Sequence, residues 1–192
     1  AWFDRTGARR GAVGEFSSAK FSLSPDGARV ALDILDPQTG SLKLWTVDLA
    51  RGMTTRFNAE AKDAERSPVW SPDGTRIAFA SDRGIFERNA NGAGDESLLL
   101  KGDRPLAARD WSRDGRFLLY RRSDPKTKGD LWVLPMSAGA DKTAFPAVKS
   151  QFDEDGGVLL GCAGMKSDPH AYQVAFVNNR AVVTITSTPK PI

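Results

Sequence analysis

The chain has 192 residues and a mass of 20.8 kDa, and its 40% hydrophobic and 27% charged residues exclude a wholly disordered chain. Its 18 Gly and 11 Pro favour many turns between short strands over long helices, so we expect an all-β fold. The net charge of +3 is the difference between 27 Lys and Arg and 24 Asp and Glu. The basic residues never cluster beyond a pair, which excludes the basic patch typical of nucleic-acid-binding proteins.

No stretch of the sequence approaches the ~18 apolar residues of a membrane span, and the first residues do not have the pattern of a signal peptide. We therefore expect no membrane insertion by this chain, and any export signal would lie upstream or have been removed. The single cysteine, Cys162, cannot form an internal disulfide, so cysteine use gives no information on the redox compartment.

The first 16 residues contain one apolar aromatic pair, Trp2-Phe3, and three glycines, and we expect one strand and a loop there. A turn motif then occurs three times: Ser-Pro-Asp-Gly at 24–27 and 71–74, and Ser-Arg-Asp-Gly at 112–115. The copies are 47 and 41 residues apart. A period of ~40–45 residues is typical of one four-stranded blade of a β-propeller.

Each turn motif lies between two predicted strands, because Pro presets φ, Asp bonds its own backbone and Gly accepts a positive φ. The predicted first strands are 21–23, 68–70 and 109–111, and the second strands are 29–34, 76–80 and 116–120. Third strands with two apolar faces are predicted at 42–49 and 130–135, and fourth strands at 54–57, 97–100 and 143–145. The middle copy leaves only residues 84–90 for its third strand, so we expect a narrow or irregular blade there.

Beyond residue 150 the repeat disappears, although residues 172–177 and 180–186 predict a hairpin around Asn178-Asn179. We predict a single partial propeller domain, 1–192, with blades at about 17–58, 67–102 and 108–149 and an irregular tail at 150–192. Either the tail and the Trp2 strand form a fourth blade that closes a four-bladed ring, or the chain is a section of a larger propeller. The missing fourth repeat slightly favours the section.

The repeats resemble the TolB-type, WD-like (PD-type repeat) β-propeller family, in which the Ser-Pro-Asp-Gly turn precedes a basic residue and an Ile/Val-Ala strand. The resemblance covers about residues 1–154 and is carried by residues 2–7, 23–30, 44–45, 48–49, 68–79, 90–94 and 111–135. Within the family, the chain is particularly similar to the C-terminal propellers of bacterial eukaryotic-like serine/threonine kinases.

This resemblance implies a non-catalytic module for protein–protein interaction or ligand sensing, as part of a larger bacterial protein in the periplasm or elsewhere outside the cytoplasm. Two alternatives stay open. One is the accessory propeller of an enzyme, either a serine/threonine kinase or a serine peptidase. The other is a periplasmic TolB-like envelope scaffold.

The sequence predicts no catalytic residue, no cofactor-binding residue and no metal ligand. The repeated Asp26, Asp73 and Asp114 are expected to cap their own turns. The only histidine, His170, has no serine in a nucleophile-elbow context to pair with and no neighbouring Cys or His for a metal. Cys162 is expected to be a buried apolar residue.

The predicted binding surface is the set of loops that join second to third strands and one blade to the next, since these loops share one face of a propeller. Its candidate residues are Asp36, Gln38, Glu60, Lys62, Asp63, Glu65, Arg66, Asp82, Arg83, Asp103, Arg104, Asp124, Lys126 and Lys128. The expected partner is another protein or a small ligand at this face, with no nucleic acid. A homo-oligomer is expected if the ring is open.

Overall fold

The computed structural model describes residues 2–3, 5–12, 14, 16–137, 143–148, 157–161, 172–177 and 180–185. Within these ranges the chain forms strands and turns without a helix, which confirms the predicted all-β fold. Accordingly, the described part of the chain holds no helix that could cross a membrane.

The N-terminal residues form a small antiparallel pair of strands. Strand β1 (Trp2–Phe3) pairs with β2 (Arg9–Gly11), and the turn between them includes Gly7 at φ 84°. The expectation of one strand and a loop was therefore wrong, because a positive-φ glycine lets the chain reverse and pair locally. Among the described strands, β1 is hydrogen-bonded to β2 and to no strand of the tail.

The first four-stranded sheet contains β3 (Ser18–Leu23), β4 (Arg29–Leu35), β5 (Leu42–Asp48) and β6 (Met53–Arg56). The strands pair antiparallel in chain order. Buried positions occur on both faces of β4 and β5, as expected for inner strands that are covered on both sides.

The second sheet has the same order, with β7 (Arg66–Trp70), β8 (Arg76–Ser81), β9 (Gly84–Asn89) and β10 (Ser97–Lys101). The expectation of a narrow or irregular blade was wrong, since all four strands are present. The second sheet has fewer residues than the other two because its β8–β9 loop is a two-residue turn between Ser81 and Gly84. Gly84 permits this turn, because its φ is 148° and a Cβ there would lie 2.1 Å from the Leu100 carbonyl oxygen.

The third sheet contains β11 (Leu106–Trp111), β12 (Phe117–Asp124), β13 (Lys128–Pro135) and β14 (Phe145–Val148), again antiparallel in chain order. The tail forms a sheet of different topology. Its strands are β15 (Gly157–Gly161), β16 (Tyr172–Val177) and β17 (Arg180–Ile185), in the order β15-β17-β16.

The tail sheet does not repeat the blade pattern, because β15 pairs parallel with β17. The predicted hairpin strands β16 and β17 are confirmed as an antiparallel pair, with Val177 opposite Arg180. Strand β15 lies beside β11 and β12, and β16 lies beside β14. The turn residues Asn178 and Asn179, together with Cys162 and His170, lie outside the described residues.

Aromatic and aliphatic side chains fill the space between successive sheets. Between the first and second sheets, Phe79 is fully buried, with ring centroids 6.0 Å from Phe57 and 6.1 Å from Phe86. Between the second and third sheets, Trp111 and Tyr120 pack in a second core. The sheets therefore stack face to face through apolar cores, as blades do.

A buried carboxylate also joins the first two sheets. Asp33 on β4 is 1% exposed; its Oδ1 accepts a hydrogen bond from the Lys20 amide at 2.9 Å, and its Oδ2 accepts one from the Ser67 amide at 3.0 Å. Ser67, the second residue of β7, has a φ of 53°, a conformation unusual for serine. This bond fixes the point at which the connection between the sheets enters β7.

Candidate functional site

The three repeated aspartates lie in the turns between first and second strands, as predicted. Asp73 Oδ1 accepts hydrogen bonds from the Ser71 hydroxyl at 2.5 Å and from the Thr75 amide at 3.0 Å. Asp26 and Asp114 accept the same two bonds in their own turns. The Ser71 hydroxyl, followed by the Thr75 amide, lowers the pKa of Asp73 to about 2. These side chains organise the turns.

The opposite end of each sheet carries the loops that the sequence predicts to be a binding face. Because successive strands are antiparallel, the β4–β5, β8–β9 and β12–β13 turns lie at the same end as the connections between sheets. An arginine at or just before the first strand of the second and of the third sheet pairs with a turn aspartate of the same sheet. Arg66 lies 2.9 Å from Asp82, and Arg104 lies 2.9 Å from Asp124.

Other predicted loop residues also stabilise turns through hydrogen bonds and ion pairs. The Asp36 carboxylate accepts a hydrogen bond from the Gln38 amide at 2.8 Å, and Asp124 accepts one from the Lys126 amide at 2.8 Å. These amide donors lower the pKa of Asp36 and of Asp124. Asp103 pairs with Arg122 at 2.9 Å, and Lys128 closes the β12–β13 turn at φ 71°.

Five of the predicted loop residues instead line a cleft of about 370 Å³ between the first-to-second-sheet connection and the second sheet. They are Glu60, Lys62, Asp63, Glu65 and Arg83. The cleft is lined by residues 58, 60–63 and 65 of the connection, by Phe79, Ser81, Arg83 and Arg88 of the second sheet, and by residues 94–96.

A buried lysine shapes the connection that forms one wall of the cleft. Lys43 on β5 is 2% exposed, and its Nζ donates to the carbonyl oxygens of Ala61 at 2.9 Å, Lys62 at 3.4 Å and Asp63 at 2.7 Å. A buried ammonium requires such acceptors, so these bonds hold the carbonyl groups of residues 61–63 in place. Sequence reasoning missed Lys43, although a lysine inside a strand predicted to be covered on both faces was a usable signal.

A buried carboxylate supports the same wall. Glu65 was predicted to lie in an exposed loop, but it is 2% exposed and accepts hydrogen bonds from the Asn58 side-chain amide at 3.0 Å and the Leu44 backbone amide at 3.5 Å. Burial raises the pKa of Glu65 above its usual value, and the Asn58 hydrogen bond opposes the shift.

Arg83 connects the two walls of the cleft. Its Nε lies 2.5 Å from an Asp63 oxygen, and its Nη2 donates to Glu96, while its guanidinium carbon lies 4.6 Å from the centre of the Phe86 ring. The carboxylates of Glu96 and Asp63 raise the pKa of Arg83. The two ion pairs of Arg83 therefore link the connection between the first and second sheets to the residue before β10.

The cleft as a whole carries more negative than positive groups. Its carboxylates are Glu60, Asp63, Glu65, Asp95 and Glu96, and its cations are Lys62, Arg83 and Arg88. The Nε of Arg88 is buried and has no hydrogen-bond partner among the described residues. Within the described ranges no group of three or more His, Cys, Asp and Glu side chains is arranged to hold a metal ion.

The chain is similar to known proteins in sequence and in structure, although no family model matches it. Dipeptidyl-peptidase 5 of Arthroderma benhamiae and of Trichophyton schoenleinii are each 31% identical to it over 147 residues, which covers 63% of this chain. The chain spans about one fifth of the length of these curated relatives (20%).

Two solved structures share the arrangement of its sheets. TolB from Acinetobacter baumannii superposes with a TM-score of 0.65 at 15% identity, over 95% of this chain and 47% of that one. A prolyl endopeptidase superposes with a TM-score of 0.53 at 18% identity, over 70% of this chain and 22% of that one.

The chain has a TolB-type β-propeller fold. The three four-stranded sheets are therefore blades of a propeller. Strands β3, β7 and β11 are the first strands of these three successive blades. The candidate cleft therefore lies between the first two blades, and it extends from Arg83 at the β8–β9 turn to residues 94–96 of the β9–β10 loop. The structure brings Lys62, Asp63 and Arg83 together there, and it places Asp36, Gln38, Asp124 and Lys126 in the turns of other strands.

Proposed function

We propose that this chain is a non-catalytic binding module, which recognises another protein or a small ligand through the cleft between its first and second blades. The observation that carries the proposal is the convergence of Lys62, Asp63 and Arg83 on one cleft. Loops held by a rigid scaffold are the usual place for binding. Here the buried Lys43 and Glu65 supply that rigidity from behind the wall.

The charges of the cleft favour a ligand that carries a cationic group. Arg83 pairs with Asp63 and Glu96, and Glu65 is buried behind the wall, so the exposed carboxylates of the lining are those of Glu60 and Asp95. An ammonium or guanidinium group of a partner could pair with these two carboxylates, and the Phe79 ring lines part of the same space.

The test uses a pair of probes that differ in charge. Acetyl-arginine-amide and the nearly isosteric, neutral acetyl-citrulline-amide are titrated into the ¹⁵N-labelled chain. We expect the arginine probe to shift the amide resonances of residues 58–65, 83 and 94–96 with at least tenfold tighter binding. Equal binding of both probes, or shifts spread over the whole surface, would contradict the proposal.

Variants assign the binding to the cleft. Glu60→Gln and, separately, Asp95→Asn are each expected to weaken binding of the arginine probe at least tenfold. Asp103→Asn is the matched control, since Asp103 is an exposed acid outside the cleft with its side chain 67% exposed. An equal loss in the control would show that only the total charge matters.

A second candidate function is that of an accessory propeller of a serine peptidase. It is supported by the 31% identity to dipeptidyl-peptidase 5 over 147 residues and by the superposition on a prolyl endopeptidase. In this case the peptidase activity belongs to other parts of the parent protein. The resemblance to propellers of bacterial kinases remains a prediction.

Hydrolysis of dipeptidyl nitroanilides tests this second candidate. We expect no turnover by the chain itself and turnover by the complete protein purified from its source, lost when that protein is treated with a serine-directed inhibitor. Turnover by the chain itself would overturn its assignment as non-catalytic. A complete protein without peptidase activity would contradict the hypothesis that the chain is an accessory propeller of a serine peptidase.

An extracytoplasmic location, including that of an envelope scaffold, is proposed on the TolB-type fold alone. Fractionation of source cells with an antibody against the chain tests it. Recovery of the protein in the periplasmic or envelope fraction would support the location, and recovery in the cytosol alone would contradict it.

A further inference from the structure

The charged residues that line the cleft divide into paired and unpaired groups. Arg83 holds both Asp63 and Glu96 in ion pairs. Glu65 is buried and accepts a hydrogen bond from the Asn58 side chain. The charges of these residues are therefore satisfied within the protein, and a ligand would have to break an existing bond to use them.

Four charged side chains of the lining remain without such a partner. Within the described part of the chain, no hydrogen bond or ion pair joins these four side chains to another group. Two of them are acids and two are bases: Glu60, Asp95, Lys62 and Arg88. The unpaired charge of the cleft is therefore balanced, which favours a ligand that carries a group of each sign over a ligand that carries a cation alone.

Arg88 is the member of this set that is half-buried. It lies on β9 directly opposite Ile77 of β8, whose side chain is fully buried. The Nε of Arg88 is buried as well and has no hydrogen-bond partner in the described ranges. A guanidinium keeps its charge at physiological pH, and withdrawing it from water without an acceptor is unfavourable. A carboxylate that enters the cleft would supply this acceptor, since carboxylate and guanidinium groups form bidentate hydrogen bonds.

The place of Arg88 in the repeat is apolar in the other two blades. Arg88 lies on the third strand of its blade, opposite the second residue of the second strand, and the residues at the equivalent place are Val47 and Leu134. Both of these aliphatic side chains are buried. Packing of the blades therefore favours an aliphatic residue at this position, and the second blade has an arginine there instead. Such a departure from a local packing rule is expected at a functional site.

We infer that the cleft binds a dipolar ligand, whose carboxylate pairs with Arg88 and whose cationic group pairs with Glu60 or Asp95. This inference rests on the proposed binding function of the cleft and names the class of its ligand. Glu60 belongs to the wall formed by the connection and Arg88 to the wall formed by the second sheet, so the two charges of the ligand have to be separated.

A basic amino-acid residue with a free carboxylate provides that separation, because several methylene groups lie between its two charges. It occurs as the free amino acid or at the C-terminus of a peptide. The volume of the cleft, about 370 Å³, is within the range of ligand sites, which is about 300–1,000 Å³.

A pair of probes that differ only in the carboxylate is the first test. Acetyl-arginine and acetyl-arginine-amide are titrated into the ¹⁵N-labelled chain, and the amide resonances of residues 58–65 and 83–88 are followed. We expect acetyl-arginine to bind at least tenfold more tightly. Equal binding, or tighter binding of the amide, would overturn the inference. Failure of the proposed function is a separate result, because the arginine and citrulline amides decide it and neither of them has a carboxylate.

Charge-removing variants then assign the carboxylate to Arg88. Arg88→Gln is expected to remove the preference for acetyl-arginine over its amide and to retain the preference for the arginine amide over the citrulline amide. Arg51→Gln is the matched control, since the Arg51 side chain is 75% exposed outside the cleft. Equal effects of these two variants would overturn the inference. So would loss of the carboxylate preference in Lys62→Gln together with its retention in Arg88→Gln.

A second variant, Arg88→Leu, separates binding from folding. Leucine occupies the equivalent position of the third blade, so we expect this variant to unfold at a urea concentration equal to or above that of the wild type. It should lose the carboxylate preference as Arg88→Gln does. A large fall in the urea midpoint would show that Arg88 supports the fold, and would overturn its assignment to the ligand.

Free arginine and acetyl-arginine distinguish the two sources of the ligand. Both carry the guanidinium and the carboxylate, and free arginine adds an α-ammonium group. Tighter binding of acetyl-arginine supports the C-terminus of a peptide, and tighter binding of free arginine supports the free amino acid. Binding of both molecules no tighter than that of the amide would overturn the inference.

Discussion

Single side chains of the repeated turn carry most of its hydrogen bonds. The Ser71 hydroxyl donates to Asp73, and the same oxygen accepts the Arg76 amide at 2.9 Å. Asp73 in turn accepts from the amide and the hydroxyl of Thr75. Serine and aspartate are therefore required at these positions because each bonds to both the other side chain and the backbone.

Ser71→Ala is expected to raise the pKa of Asp73 from about 2 towards its ordinary value of 3.8, because the largest stabilising hydrogen bond is lost. A carboxyl with a lowered pKa in the folded state stabilises the fold above pH 3.8, and this contribution is lost as the pH falls through about 2. NMR titration of the Asp73 carboxyl carbon measures the shift. Ser112→Ala, in the third turn, is the matched control and should leave Asp73 unchanged.

Glu65 should give the opposite pH dependence. Its pKa is raised in the folded state, so the folded protein holds the proton more tightly than the unfolded chain. The free energy of unfolding is therefore expected to decrease as the pH rises from 4.5 through the raised pKa, and to be level above it.

Glu65→Gln is expected to remove this slope, and urea unfolding between pH 4 and 8 measures it. Glu60→Gln is the control, since Glu60 lies exposed in the same connection and should keep the slope. An unchanged slope in Glu65→Gln would assign the pH dependence to other groups.

At the scale of elements, pairs of cation and aromatic ring fix how one blade sits on the next. Arg29 over Trp70 and Arg76 over Trp111 join successive blades at the same position of the repeat. In the third blade Phe117 takes the place of the arginine, as its amide bond to the Ser112 hydroxyl shows. The arginine–tryptophan pair therefore recurs at both interfaces between the three blades. It does not recur beyond the third blade, which has phenylalanine at the arginine position.

A double-mutant cycle of Arg29→Ala and Trp70→Leu is expected to give a coupling energy of about 0.5–1 kcal/mol, the usual size of a cation–π interaction. Urea unfolding of the four proteins measures the coupling. Arg51→Ala paired with Trp70→Leu is the control, because the Arg51 side chain is 75% exposed and bonds Asp48 in its own loop. A coupling of equal size in the control would contradict the assignment.

Most of the strands could be predicted from the sequence, and the errors have a local cause. The turn motif located the first and second strands of three blades, because its residues specify the backbone without help from distant groups. The predicted irregular blade was wrong because a single glycine, Gly84, allows a two-residue turn and a close approach to Leu100. The pairing of β1 with β2 was missed because its strands have only two and three residues.

For the whole molecule, stability depends on the cores between blades. Phe79→Ala is expected to lower the free energy of unfolding by about 3–5 kcal/mol, because the buried ring contacts Phe57 across the first interface and Phe86 on the neighbouring strand of its own sheet. Met53→Ala, at a side chain that is 59% exposed on the outer strand β6, is expected to change it by less than about 0.5 kcal/mol. Urea unfolding measures both, and similar losses would contradict the role of the interface.

The sequence by itself determined the all-β fold, the three blades and the capping of each turn by its own aspartate. These features depend on residues within a few positions of one another, so the pattern is sufficient. Only the tertiary structure decided which loop charges meet. Lys43 and Glu65 are buried because residues about 20 positions apart come together across β5 and the connection. The cleft at Arg83 and the parallel pairing of the tail likewise follow from how the sheets pack, which no local pattern encodes.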